Sequence, residues 1–309
     1  MSRRAAAISN DPLVDQVASD AIAAGASALG ACLTGFFAAA AVHDGVLMSP
    51  LGVVVGGVGV GARGFDGRLR QPGLGARRPR GFLTETEVPL AARVAIPCGL
   101  TAAAVACAYQ AGTSMAKVVA PAVALAKRAK DEVRVEALKR VGRQGATVLR
   151  DPLFARPLQL LGGPPAGGSL SIDDLAPRRD LDQPLRPHGA HGQDYLELPW
   201  DGDAPSPEGG AWVVLAIDVS GSFAGAVFQR LTGPKLEELG VVAPLGAVPV
   251  LRGVPRVRPG SPLPAPLPIA LRVTDGQIDA VVAEPGASRL SLPTLGLLRT
   301  RGRLVERLA

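Results

Sequence analysis

The chain has 309 residues, of which 38 are Gly and 28 Pro; 47% are hydrophobic and only 4% aromatic. Such a length forms one large or two modest domains, and a core of small side chains brings backbones close and leaves little room for large cavities. The formal net charge is +6, but only five of the 33 basic residues are Lys; a high-GC genome explains that Arg bias as readily as a phosphate ligand, so nucleic acid is not an expected partner.

Taken in chain order, Arg3 and Arg4 precede a short Ala5–Ile8 run that Asn10 and Asp11 interrupt. No apolar stretch of signal-peptide length forms there. Asn10-Asp11-Pro12 reads as a helix start, with a capping side chain and Pro in the first turn. Leu13, Val14, Val17, Ala18, Ala21 and Ile22 then share one helical face, and Gly25 is the stop. Residues 21–42 carry no charge over 22 positions. About 20 apolar residues can span a bilayer. Ala and Gly supply little transfer energy, however, so a buried helix from about Ser27 to Val42 is favoured over a membrane span. Cys32, Cys98 and Cys107 all sit among small apolar residues. An odd count in such settings reads as reduced, buried thiols in a reducing, cytoplasmic compartment. The closest His pair is His188 and His191, which lacks zinc-ligand spacing, so no metal and no cofactor is predicted.

Residues 51–60 form a glycine-laced strand region. Gly57, Gly59 and Gly61 lack both the G-x-G-x-x-G spacing and a P-loop Lys-Ser/Thr, which argues against a nucleotide site. Arg63 to Arg80 carries six arginines and one acid, Asp66. It reads as a solvated connection, with an anionic-partner loop as the alternative. Phe65 and Phe82 flank it but do not make a stacking platform. Val94 to Gly99 ends a short strand and opens an Ala-rich helix to about Tyr109. Thr113 and Ser114 offer capping hydroxyls to the next helix, which continues past Pro121 into a charged, solvent-facing stretch containing a Glu136–Arg140 pair.

Residues 162–176 read as a glycine-rich turn, a short strand and a capped helical turn. Residues 177–210 read as an exposed linker. From Ala211 strands dominate, over 211–218, about 224–231, 267–273 and 278–283, with Asp275-Gly276 as a hairpin turn. The division is therefore a helix-rich 1–176, the 177–210 linker and a strand-rich 211–309. Helices first and antiparallel strands later give an α+β class with a layered αββα sandwich.

Several of these stretches together resemble the gamma-glutamyltransferase family of N-terminal nucleophile hydrolases. Asp11-Pro12-Leu13 with Ala18-Ser19-Asp20-Ala21 is similar to its first helix, and Ser49 to Gly57 to its glycine-rich strand. Ile96-Pro97-Cys98-Gly99, Gly112-Thr113 and Pro121-Ala122 with Leu125-Ala126 follow its Val-Pro-Gly, Gly-Thr and Pro-Ala series. Gly167 to Ala176 resembles its Gly-Gly-x-Leu-Thr-x-Glu-Asp-Leu-Ala, and Glu284 to Leu290 its Pro-Gly-Gly-Ser-Arg turn.

The resemblance implies a self-cleaving chain in which a Thr heads the strand before Ala216-Ile217-Asp218. Its hydroxyl would be the nucleophile and its freed amine the base. That position falls near Ala211, and no Ser, Thr or Cys lies between Glu208 and Asp218. Ser220 and Ser222, beside Asp218, are the nearest hydroxyls; they read either as a displaced nucleophile or as a turn after a strand. The substrate loop corresponds to Pro262 to Pro268 and has lost both serines. The oxyanion N–H pair becomes Gly286-Ala287, with Ala strained if its φ is positive. Arg68 or Arg70 takes the place of the arginine that grips the substrate carboxylate. Scaffold kept and nucleophile lost implies a catalytically degenerate, non-catalytic binding or assembly subunit. Its protein partner would be itself or an active relative. The alternative is active gamma-glutamyl amide chemistry through a displaced nucleophile.

Overall fold

The computed structural model describes residues 5–75, 81–190, 192–199, 210–287, 289–299 and 305–308. The chain opens with strand β1 (Ala6–Ser9) and helix α1 (Pro12–Ala23). The Asp11 carboxylate accepts from Leu13 N and Val14 N, both at 3.0 Å, which settles two of the donors a helix start leaves unpaired. Gly25, at φ +87°, ends that segment. Helix α2 (Ala28–Val42) is capped by Ser27 and buried from Ala28 through Ala41. Its apolar circumference is that of a helix inside the core, as the composition predicts. Among the described residues no helix is long and apolar enough to cross a membrane.

Hairpin β2 (Leu51–Gly57) and β3 (Val60–Gly67) follows, then helices α3 (Gly99–Tyr109), α4 (Met115–Arg128), α5 (Glu132–Gln144) and α6 (Pro152–Gly162). No helix longer than a turn lies beyond α6 among the described residues. The strands after it are β4 (Asp182–Gln183), β5 (Arg186–Ala190), β6 (Gln193–Glu197), β7 (Ala211–Ile217) and β8 (Ser222–Gln229). The short ribbon β9 (Lys235–Leu236) and β10 (Val241–Val242) comes next. The chain ends with β11 (Ile269–Thr274), β12 (Gln277–Ala283), β13 (Leu295–Arg299) and β14 (Val305–Leu308).

Two antiparallel six-stranded sheets result. One runs β1-β7-β8-β2-β3-β4 and the other β14-β13-β12-β11-β6-β5. The fold is therefore α+β, with the helices in the first half and antiparallel strands throughout the second. Alternation along β7 explains the layering. Val214 and Ala216 join the helix-side core with Phe36 and Phe37. Val213, Leu215 and Ile217 meet Leu267 and, from the other sheet, Ile269, Leu271 and Val281. Glycine sets the spacing between layers: a Cβ on Gly225 would lie 2.4 Å from Ile269 Cδ1. The outer face of the second sheet carries a small cluster of Tyr195, Ala270, Ala280, Val282 and Leu290.

Three readings change. The 63–80 stretch begins inside β3, and Arg68 and Arg70 are buried, at 6% and 4% exposure, instead of solvated. Each has found a carboxylate: Asp66 for Arg68 and the distant Asp180 for Arg70. Arg77, Arg78 and Arg80 lie outside the described residues. The 177–210 stretch is not a bare linker. It contributes β4 to the first sheet, and β5 and β6 to the second, because β11, more than seventy positions later, supplies the edge that β6 needs. The short strand expected after Gly168 is absent. There the Asp174 carboxylate takes Ser171 N, Gly73 N and Leu74 N, so side-chain bonding replaces a ladder.

Candidate functional site at the head of the central strand

Strand β7 begins at Ala211, opposite Gln229 of β8. Asn10, just past β1, extends the pairing with its side chain. Its Nδ2 donates to Ala211 O at 3.0 Å and its Oδ1 accepts from Val213 N at 2.9 Å. The head of β7 is thus clasped by an amide that imitates a strand partner. Ala211 lies in phase with Val213 and Leu215, on the side facing the second sheet. Trp212 points the other way and stacks on His43, with ring centroids 4.9 Å apart. Burial holds the His43 pKa below its ordinary value, although Asp11 nearby pulls it up.

Other expected site segments come to this same end. The Gln229 side chain is buried, and its Nε2 donates to Pro266 O at 2.9 Å, which ties the 262–268 loop to the strand head. Pro268 O accepts from Glu284 N at 3.1 Å and brings in the 284–287 turn. Arg68 follows the Leu51–Gly67 pair of β2 and β3, and Leu51 pairs in turn with Phe228 of β8. Its Nη2 reaches Pro199 O at 3.4 Å. Arg70 forms bridges to Ile96 and Pro262.

These groups are engaged with one another and with the backbone. Arg68 grips Asp66 through Nε at 2.9 Å and Nη2 at 2.8 Å, a fork-on-carboxylate pair. Arg70 Nη1 donates to Asp180 Oδ2 and Gly260 O, both at 3.1 Å, while its buried Nε has no partner among the described residues. In the turn, Gly286 takes the left-handed position at φ +86°, so Ala287 escapes the strain expected of it. The Ala287 N–H donates to Glu284 O at 3.1 Å, within its own turn. Leu198 and Leu267 are fully packed against Gly52, where a Cβ would meet Leu198 Cδ2 at 2.9 Å. Ser288 and the segment before Gly210 lie outside the described residues.

Ser220, in the β7–β8 turn, and Ser222, the first residue of β8, are at the opposite end. Seven residues at about 3.3 Å each put them on the order of 20 Å from Ala211. Ser220 Oγ donates to Asp218 Oδ1 at 2.5 Å and lies 3.2 Å from Ser222 Oγ. The same carboxylate accepts Ser220 N, Ser222 N and, from the start of α2, Ala28 N. Asp218 is therefore the hub of a turn and a cap for α2, and among the described residues no His or Lys bonds to either serine. Sequence reasoning missed Asn10 and Gln229 as organisers of the strand head. Asn10 carried a signal, read only as part of the helix start. Among the described residues no group of three His, Cys, Asp or Glu side chains is placed to hold a metal; His191, one of the two histidines that lack zinc-ligand spacing, lies outside them.

No family model and no curated protein matches the sequence. Solved structures do match. Cephalosporin acylase from Bacillus halodurans superposes with a TM-score of 0.65 at 12% identity, over 90% of this chain and 76% of that one. The LmbA2991HD structure gives 0.68 at 14% identity, over 92% and 78%. Gamma-glutamyltranspeptidase from Pseudomonas nitroreducens, complexed with L-DON, gives 0.50 at 14% identity, over 63% and 70%. The chain has the fold of these solved structures, among them an acylase and a gamma-glutamyltranspeptidase.

Proposed function

We propose that this chain is a catalytically degenerate relative of the gamma-glutamyltranspeptidases and acylases, acting as a binding or assembly subunit of a larger protein complex. The observation that carries this reading is Ala211 at the head of β7, clasped by Asn10. A methyl group has no atom with which to attack a carbonyl, so the covalent route is closed. The groups that would serve a substrate are committed elsewhere: Arg68 to Asp66, Arg70 to Asp180, Ala287 N–H to its own turn. The space between the sheets at that end holds Leu198 and Leu267. What remains is a rigid two-sheet scaffold, whose partner is a second copy of the chain or an active relative. Three unpaired buried thiols suit a reducing compartment such as the cytoplasm.

A displaced nucleophile at Ser220 is the second reading, favoured only by its short bond to Asp218. That carboxylate already accepts four hydrogen bonds, which supports a turn instead. Hydrolysis of a gamma-glutamyl anilide and of a simple acyl anilide separates the two readings. The proposal expects no release above the uncatalysed rate in the wild type. Release in the wild type that disappears in Ser220→Ala would replace it with the displaced-nucleophile reading.

A further inference from the structure

A groove of about 520 Å³ lies between helix α6, the turn at 163–165 and the 170–173 segment. It shares no lining residue with the site at the head of β7. Its walls are largely apolar. Leu160 lines it and is 64% exposed, and Pro164, Pro165 and Ile172 of the same walls are exposed as well. Single exposed apolar side chains are ordinary, but four around one hollow mark an interaction surface. The hollow is preformed. The buried Asp174 carboxylate accepts Ser171 N at 2.8 Å, Gly73 N at 3.0 Å and Leu74 N at 2.9 Å, which ties together the segments that supply Gly75 and Ser171 to the wall. Walls already fixed lose little conformational entropy when a partner covers them.

Two charges complete the lining, Arg156 on α6 and Asp173. Both are exposed, and neither side chain has a hydrogen bond or an ion pair among the described residues, with the other or with any third group. One cation and one anion on an apolar groove form a self-complementary pattern. A two-fold axis passing between them sets Arg156 against the partner's Asp173 and Asp173 against the partner's Arg156. The apolar side chains then meet their own copies, and the Leu160 of each chain has the other chain's hollow to enter. A partner of one charge sign would instead leave Arg156 or Asp173 facing its like. We propose that a second copy of this chain docks on this groove as a two-fold dimer. This rests on the assembly reading above and gives it a partner and a surface. The apolar contact supplies the affinity, and the two exposed ion pairs, worth little in energy, fix the orientation.

Sedimentation velocity of the full chain tests this. The wild type is expected to pass from monomer to a species of twice 31.5 kDa as its concentration rises through the micromolar range. Leu160→Asp is expected to leave only monomer. Arg156→Asp and Asp173→Arg each set like charges opposite one another twice in the dimer, and each is expected to weaken dimerisation by about tenfold. The double variant, with the two charges exchanged, is expected to regain the wild-type affinity. All three positions are exposed, so the variants keep the fold, which circular dichroism checks. A wild type still monomeric at about 0.1 mM, a dimer that Leu160→Asp leaves intact, or a double variant no tighter than the single ones would overturn the proposal. None of these outcomes touches the loss of catalysis in the reading it rests on, which the anilide assay decides separately.

Discussion

At the scale of single residues, Arg70 serves the structure. Its guanidinium is 4% exposed, and Asp180, 54% exposed, is its carboxylate partner. Arg178 bonds the same carboxylate and, with Arg70 behind it, holds the Asp180 pKa below the usual carboxylate range against the opposing effect of burial. A depressed folded pKa means that the stabilisation is complete above the unfolded value, near pH 4, and is lost as the pH falls through the folded one. Water around Asp180 screens the pair, so its removal costs only about 1 kcal/mol. Asp180→Asn is therefore expected to lower urea stability by about that much at pH 7, and the gap to wild type should close as the pH drops below about 4. An equal gap at pH 7 and pH 3 would show that the charge is not what matters.

At the scale of elements, glycine lets α2 sit on β7. A Cβ on Gly35 would lie 2.8 Å from Val214 Cγ2 and 3.1 Å from Val14 Cγ1. Gly35→Ala gains helix propensity worth about 1 kcal/mol, but overpacking costs about 1–3 kcal/mol. The cost wins, so thermal unfolding of the variant should begin several degrees lower; an unchanged or raised midpoint would mean that α2 can move away freely. Elements set by local chemistry were legible in the sequence: Asp11 and Pro12 at the start of α1, Gly25 at its end, and the Asp275-Gly276 hairpin. Asp275 and Gly276 indeed take φ of 53° and 73°. Elements set by distant partners were not. β5 and β6 hold polar residues and read as linker, because what makes them strands is pairing with β11. Arg68 and Arg70 read as solvated because Asp180 lies over a hundred positions away from Arg70 and the Asp66 partner says nothing of burial by itself.

At the scale of the whole molecule, the helix-rich and strand-rich halves build one layered body, since β1, β2 and β3 share a sheet with β7 and β8. The segments that meet at the head of β7 could be named one by one from the sequence. That they converge on one end of β7 came only from register, and that they are committed to each other came only from hydrogen bonds. The interior also encloses all three thiols. Burial pushes the Cys98 and Cys107 pKa values up to about 12 and that of Cys32 further still. Almost no thiolate exists at pH 8, so a disulfide reagent should label none of the three in the native protein and all three in denaturant. One fast-reacting thiol in the native state would place that cysteine at the surface.

The central claim is that the strand head has lost the group that starts the chemistry. The most direct test is the intact mass of the purified chain after prolonged incubation. The account predicts a single species at 31.5 kDa. Two fragments dividing between about Asp201 and Ala211 would contradict it, because the chain would then cleave itself without a hydroxyl or thiol at the head of β7.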